Sequence, residues 1–231
     1  SLLMKLKRVD EAEQLITELV QDTNMNSKFY LAKNLYILAE IEISKGEYQK
    51  ADRTLQLALT NLNSTDNQLF ETTKKDLAIN INLLLAKLAS EHSIGNAMSY
   101  LDKASIHAIE SAKVEQFRVM IRKAAYYMQT NEDKYANEQI DKALSLVNLK
   151  PNMLTGEFEE RSLPQQIVDI NPTAFIELAE MMKDKDKSLA ERYYRLALHI
   201  LNESDENYLI NSHFDIQTKA KEGLNEIREA A

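Results

Sequence analysis

Residues 32–63 read AKNLYILAEIEISKGEYQKADRTLQLALTNLN, and this stretch decides the fold class. Its first half has apolar residues at the i, i+3, i+4 spacing of one helix face, namely Leu35, Leu38, Ala39 and Ile43. Gly46 then marks the end of that helix. The second half starts at Tyr48 and repeats the spacing at Ala51, Leu55, Ala58 and Leu59. The pattern predicts two antiparallel helices, with small alanines where the helices cross closely.

This unit resembles the tetratricopeptide repeat. The family pattern has a small residue in the first helix, then Gly, an aromatic residue, Ala, and another Ala seven residues later. The matching residues are Ala39, Gly46, Tyr48, Ala51 and Ala58. Leu35 stands where the family often has Trp, and Asn63 where it often has Pro. The resemblance implies an all-α fold, a right-handed superhelical solenoid of stacked antiparallel helix pairs.

The same alanine spacing recurs further along the chain. Later second helices are predicted around three pairs of alanines seven residues apart, Ala97 and Ala104, Ala136 and Ala143, and Ala190 and Ala197. Their first-helix partners are Ala86, Ala124 and Ala179. The intervals between equivalent alanines exceed the roughly 34 residues of a standard repeat, so the repeats are divergent and long.

The predicted organisation is one repeat region covering residues 1–231. We expect a partial repeat at 1–26, four helix pairs at 27–65, 67–111, 113–149 and 165–203, and a capping helix at 206–229. Residues 150–164 are predicted to form an inserted loop, because Pro151, Gly156 and Pro164 interrupt a helix. Because only SLLMKL remains ahead of the first predicted second helix, the chain is expected to be part of a longer protein.

Composition narrows the class of partner and the compartment. The chain has 28 basic and 36 acidic residues, a formal net charge of −8, which disfavours direct binding to nucleic acid or anionic lipid. It has no cysteine, which excludes disulfides and thiolate metal sites. No apolar run is long enough to span a bilayer and no signal peptide is recognisable. We expect a cytoplasmic, intracellular protein.

Motifs for catalysis are missing from the sequence. No G-x-S-x-G elbow, glycine-rich phosphate loop or H-E-x-x-H motif is present, and the four histidines are scattered. The prediction is therefore a protein that is not an enzyme, with no catalytic residues, no cofactor and no metal site. The charged run KDKDK at 183–187 is interpreted as a solvated helix end. Of Tyr193 and Tyr194, one is expected in the core and the other near solvent.

Arg118 and Arg122 lie four residues apart on one predicted helix and project the same way. They resemble half of the basic clamp with which some tetratricopeptide repeats hold C-terminal carboxylates. The other half of the clamp has no counterpart in the preceding units. An ordinary solvated pair is the favoured interpretation, and a groove for another acidic or helical segment stays open.

In the tetratricopeptide family the first helices line a concave groove, so the resemblance implies a partner-binding groove here. Its expected residues are Lys33, Tyr36, Glu40, Asn80, Leu83, Lys87, Arg118, Ile121, Arg122, Ile176 and Glu180. The predicted function is a scaffold for protein–protein interaction that binds a protein or peptide within a larger complex. The alternative is an effector- or peptide-sensing module of a bacterial transcription regulator or kinase. Self-association through the truncated first repeat is a further expectation.

Overall fold

The computed structural model of the protein describes residues 9–21, 27–65, 71–92, 96–109, 111–148, 172–203 and 210–229. These residues form ten α-helices and no strand, which confirms the predicted all-α class. In chain order the helices are α1 Val9–Gln21, α2 Lys28–Ser44, α3 Tyr48–Asn63, α4 Glu71–His92, α5 Ala97–Ile109, α6 Lys113–Gln129, α7 Asp133–Leu146, α8 Pro172–Met182, α9 Lys187–Glu203 and α10 Ile210–Glu229. The predicted loop at 150–164 lies outside the described residues.

Consecutive helices pack as pairs, α2 with α3, α4 with α5, α6 with α7, and α8 with α9. This pairing confirms the general expectation of a helical repeat. The chain divides into two compact units, Ser1–Ser111 and Ala112–Ala231. Within unit 1, α4 packs against both helices of the preceding pair; within unit 2, the first helices α6 and α8 pack against each other. The predicted superhelical course of the stack stays a prediction.

The alanines selected by spacing all lie in the interior. None of the twelve is more than 6% exposed, and they are Ala39, Ala51, Ala58, Ala86, Ala97, Ala104, Ala124, Ala136, Ala143, Ala179, Ala190 and Ala197. A methyl side chain leaves room for a neighbouring helix to approach, and larger residues beside it fill the remaining space. Leu55 and Phe117, for example, are fully buried next to these positions.

Two of the turns between paired helices have the same backbone conformation. Gly46 ends α2 with a φ of 78°, and Asn131 ends α6 with a φ of 60°. In each turn the following residue donates its N–H to the carbonyl five residues earlier, at 2.9 Å after Gly46 and 2.7 Å after Asn131. This is the Schellman arrangement, which needs a left-handed residue and therefore favours Gly or Asn. The sequence pattern predicts the turn at Gly46 but gives no signal for the turn at Asn131.

Side-chain caps define the starts of two other second helices. Asn96 Oδ1 accepts the N–H of Ser99 at 3.0 Å ahead of α5, and Asp186 Oδ1 accepts the N–H of Leu189 at 3.0 Å ahead of α9. Such caps satisfy amides that have no partner inside the helix. Asp186 belongs to the charged run that was interpreted as a solvated helix end, and it is exposed while it caps.

The core of unit 2 differs from expectation at its tyrosines. Tyr193 and Tyr194 are 1% and 0% exposed, so the prediction that one would lie near solvent was wrong. The two rings are accommodated because α9 packs against α8 on one side and α10 on another. The Tyr194 hydroxyl donates to Glu180 of α8, which satisfies its polar atom at the edge of the core.

The last helix, α10, covers the final pair through a close backbone approach. Ala220, Leu224 and Ile227 are buried, while Lys219 and Lys221 are exposed on its outer side. A Cβ added to Gly223 would overlap the ring of Tyr194. The absence of a side chain at Gly223 is therefore what lets α10 lie against α9.

We expect Gly223→Ala to lower the free energy of unfolding by about 1–3 kcal/mol, because the added methyl group displaces the buried Tyr194 ring. The matched control is Asn225→Ala, two residues away on the exposed side of α10. That change is expected to be neutral or slightly stabilising, since Ala is the better helix former. Urea denaturation measures both. Equal stability of the two variants would contradict the assigned contact.

Candidate partner-binding surface

The first helix of unit 1, α2, presents one line of polar side chains. Lys33 and Glu40 are exposed and Tyr36 is half-buried, at the i, i+3, i+7 positions of a single face. The Tyr36 hydroxyl donates to Glu40 Oε1 at 2.9 Å. Part of Glu40 reaches solvent, yet desolvation by surrounding atoms raises the pKa of its carboxyl above the usual range, and the Tyr36 hydrogen bond opposes this rise.

The next first helix, α4, contributes fewer exposed groups than predicted. Asn80 and Lys87 are partly exposed, and Lys87 Nζ lies 4.0 Å from Glu91 of the same helix. Leu83 is only 8% exposed and belongs to the interior. It cannot serve as a groove residue in this conformation. We define the unit 1 face as Lys33, Tyr36, Glu40, Asn80 and Lys87, on the neighbouring helices α2 and α4.

Two predicted groove residues of unit 2 are core residues instead. Ile121 on α6 is 0% exposed and Ile176 on α8 is 5% exposed, and both lie in one apolar cluster. Because α6 and α8 pack against each other, the residues facing that contact are covered. Assigning Ile121 and Ile176 to a partner site was wrong. The family pattern identifies the first helices but not which of their residues face the next first helix.

The two arginines singled out by sequence each meet a carboxylate of this chain. Arg118 Nη1 lies 2.8 Å from Glu115 of the same helix. Arg122 Nη2 lies 2.5 Å from Glu177 of α8, and both side chains are about one quarter exposed, at 27% and 23%. The pair therefore carries internal counter-ions, which works against a clamp for a foreign carboxylate. Sequence analysis missed Glu177, which is 55 residues from Arg122.

Glu180, the last predicted groove residue, lies at the edge of the same region. Its side chain is 52% exposed and lies 3.9 Å from Lys183, while it also accepts the Tyr194 hydrogen bond. Lys183 in turn pairs with Glu226 of α10. These contacts tie Glu180 to the terminal helices and leave it partly accessible to solvent.

Within the described residues, no group of three or more His, Cys, Asp or Glu side chains has the arrangement of a metal site. The ring of His92 stacks on Tyr48 with centroids 3.5 Å apart. A cavity of about 550 Å³ opens between α6 and α7 and is lined by charged residues, including Glu138 and Lys142. Those two pair with each other at 2.6 Å, so they do not form an acid–base set aimed at a ligand.

No protein-family model and no curated protein matches this sequence. Among solved structures, the chain is similar to the crystal structure of BtubC (BKLC) from P. vanneervenii, with a TM-score of 0.55 and 16% sequence identity. The match covers 99% of this chain and 90% of that chain. At this identity the similarity establishes a shared fold and carries no information about partners.

The Arg122–Glu177 pair is expected to couple α6 and α8. A double-mutant cycle with Arg122→Ala and Glu177→Ala should give a coupling free energy of about 0.5–1 kcal/mol in low salt. It should fall in 0.5 M NaCl, because salt screens partly exposed charges. The control cycle is Lys142 with Glu138, an exposed pair within one helix. Coupling for Arg122–Glu177 no larger than for this control would contradict the assignment.

Proposed function

We propose that this protein is a non-catalytic scaffold of the tetratricopeptide-like class, in which stacked helix pairs form a right-handed solenoid that holds a protein or peptide partner. The proposal rests first on the sequence pattern of the units and on the observed helix pairs. It rests also on the chemistry of the described surface, which offers charged and aromatic side chains suited to recognition. We propose a cytoplasmic location. Of the described helices, none has the length and apolar character to cross a membrane.

The observation that carries the proposal is the unit 1 face. Lys33, Tyr36 and Glu40 lie on one line of α2, and α2 contacts α4, which carries Asn80 and Lys87. The backbone of a rigid helix is already ordered before a partner binds, so binding costs mainly the freedom of the contacting side chains, and a few charge pairs with one aromatic contact can hold a partner. Tyr36 supplies that aromatic surface, and the two lysines supply charge.

The electrostatics of the face suggest the kind of contact it makes. Lys33 has no ion-pair partner within the described part of the chain, whereas Arg118 and Arg122 of unit 2 are both paired. A cation without an internal counter-ion is the one that gains most from a carboxylate on a partner. We therefore assign the main contact with the partner to the unit 1 face and a secondary role to Arg118 and Arg122.

Photo-crosslinking in cells tests this assignment. A benzoylphenylalanine at position 33 or 87 of the full chain is expected to give adducts with the same partner protein. The control is benzoylphenylalanine in place of Arg53, which is exposed on the second helix α3, and it should give no adduct. Adducts equally strong at position 53, or absent at 33 and 87, would contradict the proposed face.

A charge-reversal variant sharpens the test. Lys33→Glu/Lys87→Glu should lower the yield of adduct from a benzoylphenylalanine at position 36 at least tenfold, while Arg53→Glu should leave that yield unchanged.

The rival function, an effector-sensing module, makes a different prediction. In that case a small molecule, rather than a protein, would protect the unit 1 face from chemical labelling.

A further inference from the structure

Helix α1 is attached to the rest of unit 1 by a small apolar contact. Its buried residues are Ala12 and Ile16, which meet Ile41 of α2 in a cluster distinct from the main core of the unit. Ile37 and Leu38 pack around that cluster. Of the partly buried residues of α1, Val20 reaches the main core. With two buried residues, and Val9 and Val20 partly buried beside them, α1 buries less apolar surface than the contacts within the helix pairs do.

Charge pairs supply the rest of the attachment. Lys45, at the end of α2, lies 2.8 Å from Asp10 and 2.6 Å from Glu13 of α1. Lys50 of α3 lies 3.4 Å from Glu13. The Asp10 side chain is 91% exposed, so its pair with Lys45 is open to solvent. Exposed pairs contribute little to stability and weaken further as salt screens them.

A buried carboxylate at the same place works against tight packing. Glu42 is fully buried, and its charge partner is Lys50 at 3.3 Å, the same lysine that contacts Glu13. Neither carboxylate oxygen of Glu42 accepts a hydrogen bond. Keeping such a group from water is unfavourable. Lys50 also pairs with Glu47 at 3.0 Å, so three carboxylates share it and fewer of its charge interactions remain for α1.

The charges at this contact persist at neutral pH. Hydrogen bonds from Lys45 keep the pKa of Asp10 and of Glu13 below their usual ranges, and the same bonds raise the pKa of Lys45. Protonation therefore does not release α1 near neutrality. Salt weakens the attachment instead, and an acidic group on a partner competes for Lys45, because both act on the ionised pairs themselves.

We propose that α1 is a displaceable helix, and that the surface beneath it is a second partner site which accepts an acidic amphipathic helix. We call this surface the α1 seat, and its residues are Ile37, Leu38, Ile41, Lys45 and Lys50. The site is independent of the unit 1 face. Its occupant in the present structure is the chain's own helix, which shows what chemistry fits.

The sequence of α1 defines the partner. A matching helix carries acidic residues three apart, as Asp10 and Glu13 do, to reach Lys45. It carries small or aliphatic residues four apart on the same side, as Ala12 and Ile16 do, to cover Ile41. Leu15 and Leu19 continue the same apolar stripe at the edge of the contact, where they are 53% and 46% exposed. The exposure of these two leucines shows that this edge of α1 is not enclosed.

A peptide-binding experiment tests the seat in the full chain. In the variant Ala12→Asp/Ile16→Asp the chain's own helix cannot pack, while the seat is unchanged. A fluorescein-labelled peptide of residues 9–21 should bind this variant at least tenfold more tightly than it binds the wild-type chain. A peptide with Asp10→Lys and Glu13→Lys should bind at least tenfold more weakly than the native peptide. Equal binding of both chains, or of both peptides, would overturn the proposal.

The control chain carries Leu15→Asp/Leu19→Asp, two substitutions with the same spacing at the exposed edge of the α1 contact. It should bind the peptide no better than the wild-type chain does.

Hydrogen–deuterium exchange of the wild-type chain is a test that needs no variant. Amides of α1 should exchange at least tenfold faster than those of α2 and α3, and about fivefold faster again in 0.5 M than in 0.05 M NaCl. Protection of α1 equal to that of α2 and independent of salt would overturn the proposal.

Discussion

The close approach of paired helices at buried alanines is the constraint on which the rest of this structure depends. Each helix pair has small residues where its two helices meet, and those residues are excluded from solvent, as Ala39 and Ala58 are in the first pair. With methyl groups at the crossings, the helices come close enough for neighbouring Leu, Ile and Phe side chains to interdigitate. The polar residues are thereby left on the outer faces of the helices, where a partner can reach them.

The sequence predicted this part of the fold because its signal is local. Alanines seven residues apart lie on one side of a helix, and Gly46 marks a turn that needs a left-handed residue. The equivalent turn at Asn131 was missed, since asparagine occurs in many other settings. Both residues make the same backbone hydrogen bonds, so the requirement is for the conformation rather than for glycine itself.

Surface residues were predicted less well, because their environment depends on contacts between distant segments. Ile121 and Ile176 were assigned to a groove, but both are buried in the apolar cluster of unit 2. Arg122 was identified as a candidate, while its partner Glu177 comes from another helix pair. Helical periodicity indicates which residues share a face; it does not say which neighbouring helix covers that face.

The ionic contacts divide the described surface into regions with different capacities for binding. In unit 2, Arg118 and Arg122 are held by carboxylates of the chain itself. In unit 1, Lys45 and Lys50 hold α1, while Lys33 has no such contact within the described residues. A partner at Lys33 forms new ion pairs, whereas a partner at Lys45 must replace existing ones. Partner binding at the two sites therefore differs in its salt dependence, and only the site at Lys45 requires existing ion pairs to be broken first.

The most direct test of the central claim is the stability of Ala58→Leu. A larger side chain at this fully buried crossing should force the two helices of the first pair apart and lower the free energy of unfolding by about 1–3 kcal/mol. Arg53→Leu, on the exposed side of the same helix, should change it by less than about 0.5 kcal/mol. Unfolding curves for Ala58→Leu that coincide with those of the wild-type chain would contradict the account.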